Sequence, residues 1–149
     1  MFNLSIFLEG MLAAMVMGLV AVVLQIIKVS RFNFMLAIGR FFIKKSQQQA
    51  LATSLGWIIH LLMGGLMAEV YFWLVTKEII LLQFNLITTV IWAAFLWLIT
   101  MFAVMPLLEG GIFGVKFGKF KWLEMLVLFL VYGYTLNYLI LTLIISLLE

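Results

Sequence analysis

The chain has a single histidine, His60, which falls with a carboxylate, Glu69, inside the apolar run LGWIIHLLMGGLMAEVY at positions 55–71. An imidazole held in an apolar place can ligate haem iron or another metal, or hydrogen-bond a quinone carbonyl, and an embedded ionisable residue is a functional hypothesis by default. The rest of the composition narrows this quickly. There is no cysteine, and all six acids are Glu, so neither a thiolate site nor a Ser-His-Asp triad can be built. One histidine cannot form a multi-histidine metal cage, nor a bis-histidine haem site without a second chain or a methionine partner. No catalytic residue and no metal site is expected. The expectation for His60 is a neutral ring hydrogen-bonded to Thr89, Tyr132 or Asn137 on a facing helix, with haem or quinone binding as the alternative.

Glu69 lies nine positions after His60, about 180° around a helix at 100° per residue. The two then sit on opposite faces, and one bundle shelters only one of them. A carboxylate at mid-span costs about 2.5–3.5 kcal/mol, and less near a boundary. Glu69 is therefore expected to reach the outer head groups, with a face toward a protein partner as the alternative. A lone carboxylate makes no acid–base pair, so no enzyme is expected. The ten methionines include the one-turn pairs Met11/Met15 and Met63/Met67. Thioethers bind Cu(I), but without Cys or a second His these read as pliable core filling.

These side chains need elements to hold them, and the composition says which. The 149 residues are 67% hydrophobic and 10% charged, against about 45–50% and about 25% in soluble domains. This is an integral membrane protein of one domain, residues 1–149, with no room for a separate soluble unit. Four runs are long enough for the roughly 30 Å hydrocarbon layer, at about 4–29, 50–75, 84–105 and 122–148. The first lacks a basic leader and is too long for a signal peptide. Lys28, Arg31, Arg40, Lys44 and Lys45 crowd the first connection, and Lys116, Lys119 and Lys121 the third, where Glu109 is the one acid; Lys77 and Glu78 cancel in the second. The positive-inside rule places both basic loops in the cytoplasm and both termini outside.

Within lipid, spans associate by close backbone approach, so small residues at i, i+4 mark the buried faces. The stripes are Gly10, Ala14 and Gly18 in the first span, Gly56, Gly64 and Ala68 (with His60 among them) in the second, and Gly133 in the fourth; Thr89 and Ala93 serve the third. Short connections favour antiparallel neighbours, giving an all-α, up-down four-helix bundle. Arg40, Lys44, Lys45, Lys116, Lys119 and Lys121 are candidates for lipid head groups. The segment 31–45 mixes aromatics with cations and reads as an ordinary inner loop, with an interfacial helix as the alternative. Pro106 is expected to end the third span, and the glycines at 110, 111, 114 and 118 to form a tight turn; the loop is no P-loop, lacking the G-K-[ST] ending.

Gly10 through Gly18, LGWIIHLLMG at 55–64 with Tyr71, MPLLEGGIFG at 105–114 and YG at 132–133 together resemble an uncharacterised family of small four-span bacterial membrane proteins. That family shares G-W-x-x-H-x-x-x-G, M-P-x-x-G-x-G-x-F-G and a late H-x-x-Y-G. The late histidine falls here at Phe129, and Glu109 and Gly110 stand where Gly and a small residue are expected. The resemblance implies a multi-pass protein of the bacterial inner membrane and carries no activity with it. The functional expectation is a non-enzymatic accessory or structural subunit of a larger membrane complex, respiratory or electron-transfer, in contact with lipids and other subunits and not with nucleic acid. A haem- or quinone-binding module centred on His60 is the second expectation. A small transporter or channel using His60, Gln25 and Asn137 is the third.

Overall fold

The computed structural model describes residues 3–30, 32–43, 48–77 and 84–146; Lys44 and Lys45 and the last residues of the fourth expected span lie outside these. The chain is all-α, a four-helix bundle with one additional short helix: α1 Leu4–Ile26, α2 Phe34–Phe42, α3 Gln49–Thr76, α4 Leu86–Leu107 and α5 Lys121–Ser146. All but α2 are long and apolar enough to cross a membrane, at 22 to 28 residues each, so the chain is a multi-pass membrane protein.

Small residues set the register. Gly10 of α1 meets Gly64, Gly65 and Ala68 of α3, and a Cβ at Gly64 would overlap that of Ala14. Further along, Gly18 lies against the Trp57 ring, so α1 and α3 run in opposite directions. Between α4 and α5 the same happens: a Cβ on Gly133 would lie 2.8 Å from Ala93 Cβ, and Thr89 donates to Asn137 Oδ1 at 3.3 Å. α1 packs on α3 and α5, and α4 on α5, whereas α3 and α4 scarcely touch. Among the described residues, those two are joined by side-chain hydrogen bonds where α4 begins. There Tyr71 Oη lies 3.0 Å from Thr89 Oγ1 and 3.1 Å from Thr88 Oγ1, and its ring stacks on Trp92. Asn85 caps α4 in a reciprocal capping box with Thr88, which supplies partners for backbone donors that lipid cannot satisfy.

The first connection departs from the ordinary loop expected. α1 stops at Ile26, the chain turns through Lys28 at φ 61°, and the Ser30 N–H returns to the Leu24 carbonyl at 2.9 Å. The chain then climbs back into the bundle, because α2 lies antiparallel along the first half of α3. Phe34 meets the His60 ring edge-on at 6.0 Å between centroids, a Cβ on Gly56 would overlap the Met35 carbonyl, and one on Gly39 that of Ala52. Thus α2 is a re-entrant helix rather than a surface one. Glycine at 39 and 56 allows backbone-to-backbone contact, and the apolar run FMLAI tolerates the depth. Of the non-helical residues of the climb, Ser30 is buried and Phe32 and Asn33 are half-buried against protein, which lets them lie at depth. Its polar groups are met by Asn33 Oδ1, accepting from Leu36 N–H at 2.9 Å, and by Ser30 Oγ, accepting from Phe32 N–H at 3.3 Å.

Pro106 does not end α4 but lies in its last turn. Lacking an N–H, it shifts the hydrogen-bond register, and Thr100–Val104 takes a π-helical turn in which Met105 N–H donates to the Thr100 carbonyl. The helix closes in a Schellman arrangement: Gly110 N–H reaches the Met105 carbonyl at 2.9 Å and Glu109 N–H that of Pro106 at 3.0 Å. Glu109 holds the left-handed position, φ 63°, which glycine normally takes and which costs an L-residue about 1 kcal/mol. The segment that follows, Ile112–Phe117, is two short turns joined at a kink where Phe113 and Gly114 take φ 59° and 65°, and it lies between Gly111 and Gly118, also at positive φ.

Candidate functional site

His60 is half-buried, and its Nε2 lies 3.0 Å from the Ala14 carbonyl oxygen of α1. A carbonyl only accepts, so Nε2 carries the hydrogen; in the neutral ring Nδ1 is left as an acceptor. The side-chain partners expected for His60 are used elsewhere. Tyr132 donates to the Gly64 carbonyl at 2.8 Å, while Thr89 and Asn137 bind each other near the start of α4. The reason is the small-residue interface itself: where Ala14 and Gly64 bring backbones together, carbonyls come within reach of rings that lie one turn away.

Glu69 also turns out to meet α1. Its Oε1 accepts the Asn3 N–H at 3.0 Å, at the N-terminal end of the helix, where the macrodipole favours an anion. Half a helical turn separates His60 from Glu69 in projection, yet the crossing of α1 over α3 and the length of the Glu side chain let both reach the same neighbour. The carboxylate therefore has a partner within the chain.

Between the parted helices α3 and α4 lies a cavity of about 350 Å³, lined almost wholly by apolar atoms. Phe34 and Ile38 of α2, Met63 and Met67 of α3, Leu96 and Thr100 of α4, and Phe129 and Tyr132 of α5 form its walls, with His60 and Gly64 between them. Several lining residues are exposed, among them Met63 at 46% and Ile99 at 42%, and these mark a mouth on the lipid-facing side between α3 and α4. The π-helical turn at Thr100 adds a residue to the wall at this depth.

The structure gathers His60, Gly64 and Ala14 around this cavity, while Gln25 stands in the last turn of α1 and Asn137 beside α4's first turn. The three residues of the transport expectation are thus spread along the bundle and do not line one path. Among the cations, Arg40, Lys116 and Lys119 are exposed at the basic end, but Lys121 is not available to head groups. It is 4% exposed, bonds Glu124 Oε2 at 2.6 Å and Ser30 Oγ at 3.0 Å, and sits 4.9 Å over the Phe32 ring. The re-entrant chain covers it, an arrangement with no signature in the spacing of charges.

Sequence reasoning passed over Glu9. It lies on α1 one residue before Gly10, and its Oε2 is buried with no hydrogen-bond partner among the described residues. Its signal was a carboxylate within the first apolar span. A buried polar atom without a partner is costly. Glu9→Met, which removes it, is therefore expected to raise stability by about 1–2 kcal/mol in detergent unfolding; a loss of stability would show that the carboxyl group has a partner in the membrane.

No protein-family model matches the chain, and it matches neither a curated protein nor a solved structure.

Proposed function

We propose that this protein is a non-enzymatic membrane module that takes a hydrocarbon chain of a membrane amphiphile from the bilayer into the cavity between α3 and α4. The observation that carries this reading is the cavity itself: apolar, bordered by four spans and α2, and open where two sequence-adjacent spans fail to pack. Its volume falls at the low end of small-molecule sites, about 300–1,000 Å³. His60 acts as a clasp between α3 and α1. Haem iron would find Nε2 already engaged, and Nδ1 of the neutral ring can accept a hydrogen bond but not donate one to a quinone carbonyl. We place the basic end in the cytoplasm and both termini outside, by the positive-inside rule, and the protein in a bacterial inner membrane on the resemblance stated above. Membership of a larger complex as an accessory subunit is compatible with this site, although Glu69, which motivated an outer partner face, has its bond within the chain.

The test is retention of lipid or quinone by protein purified in mild detergent and delipidated stepwise. Wild type is expected to keep about one tailed molecule per chain. Met63→Trp, which fills the mouth at an exposed position and spares the core, is expected to lower retention about tenfold, the factor for roughly 1.4 kcal/mol. Unchanged retention in Met63→Trp would rule out the cavity as the binding place. A stoichiometric quinone in the extract would move the assignment to a ring-binding site.

A further inference from the structure

A second cavity, about 720 Å³, lies at the basic end on the other side of α2, lined by Asn33, which caps that helix, by Leu36 and Arg40 within it, and by Glu109 just beyond α4. It shares Phe41, Leu107 and Leu108 with the apolar cavity, so the two lie on either side of that ridge, and the second forms a part-polar vestibule beside the first. Arg40 and Glu109 contribute one charge of each sign, from α2 and from the end of α4. Both are exposed, and neither forms an ion pair among the described residues. Glu109 moreover keeps its side chain at a left-handed backbone position that glycine would occupy with less strain. Helix termination does not require this carboxylate, so its presence at the vestibule wall needs another reason.

Resting on the cavity reading above, we propose that the vestibule binds the head group of a zwitterionic phospholipid with a primary ammonium, a phosphoethanolamine lipid. Its phosphate meets the Arg40 guanidinium, its ammonium meets the Glu109 carboxylate, and one of its chains enters the apolar cavity. Arginine suits phosphate through its planar fork of donors. A glycerol head group offers the carboxylate hydroxyl donors but no positive charge. A choline head group offers a positive charge but no N–H to accept. The ethanolamine lipid alone among these brings Glu109 both a positive charge and N–H donors.

Native mass spectrometry of the detergent-purified protein tests this with dioleoyl lipids that differ only in head group: ethanolamine, glycerol and choline. Wild type is expected to retain the ethanolamine lipid about fivefold better than the other two, the scale of one solvent-exposed ion pair. Glu109→Gly, which relieves the backbone, is expected to melt no lower than wild type and yet to bring that ratio to about one. Arg40→Gln is expected to weaken all three lipids alike. Equal retention by wild type, an unchanged ratio in Glu109→Gly, or undiminished binding by Arg40→Gln each overturns the proposal. Met63→Trp separates the two readings. If it loses all three lipids while Glu109→Gly keeps the ethanolamine preference, the cavity stands and the head-group site falls. If Met63→Trp binds as wild type does, the cavity falls and this site with it.

Discussion

Lys121→Met is expected to destabilise the protein by about 3 kcal/mol, the lower end of the cost of breaking a buried ion pair from one side. The ammonium has no route to water: it is 4% exposed and sits among Glu124, Ser30 and the face of Phe32. Its removal leaves the Glu124 carboxylate uncompensated, and it also frees the hydroxyl that holds the climb from α1 into α2. The lower end of the range applies because Glu124 is 18% exposed and recovers some solvation. The measurement is reversible unfolding in mixed detergent, run as a double-mutant cycle with Glu124→Leu. The double variant should recover most of the loss, since an apolar pair of similar volume removes the unpaired charge. A single-variant loss under about 1 kcal/mol would mean that Lys121 is solvated, as a surface pair would be. The re-entrant segment makes this matter for function. Phe32 stacks on Phe117 at 4.0 Å between centroids, so the Lys121 cluster ties α2, one wall of the cavity, to the turn after α4.

Gly64→Val is expected to cost about 3 kcal/mol, the upper end of the usual range for overpacking a close-packed interface. A Cβ at this position would overlap Ala14 Cβ and lie 2.9 Å from the Gly10 carbonyl oxygen. Both neighbours belong to α1, so relief requires α1 and α3 to separate. Separation stretches the hydrogen bond that spans this seam, from His60 to the Ala14 carbonyl. In lipid there is no hydrophobic drive to hold the helices together once close approach is lost. Gly64→Ala should show a smaller loss in the same assay. A valine variant as stable as wild type would mean that the α1–α3 seam is looser than these contacts require. Because Gly64 also lines the cavity, Gly64→Val tests the fold and not the ligand; Met63→Trp, at the mouth, is the cleaner probe of binding.

Much of the architecture was legible before any tertiary contact was known. Four apolar runs of sufficient length specify four spans, because unsatisfied backbone groups in hydrocarbon leave the helix as the structure available to such segments. The small residues Gly10, Ala14, Gly64 and Ala68 mark the α1–α3 seam, since only they allow the backbones so close. Pro106 marks the region where α4 finishes, although the helix runs one residue past it, and the capping role of Asn85 came from the structure.

Tertiary structure alone decided the rest, for reasons that local sequence does not carry. The re-entry of α2 depends on Gly39 and Gly56, seventeen positions apart, meeting opposite carbonyls, and hydropathy averages over a window cannot register such a pairing. His60 took a backbone carbonyl as partner, which has no residue type to recognise in advance. Glu69 found Asn3 across the seam because helix crossing and side-chain reach outweigh a projection on a single straight helix. Lys121 was hidden by the chain that folds back over it. The cavity exists because α3 and α4, neighbours in sequence, are joined at Tyr71 and part below it, and a space between elements is a property of their arrangement that no residue in either one encodes.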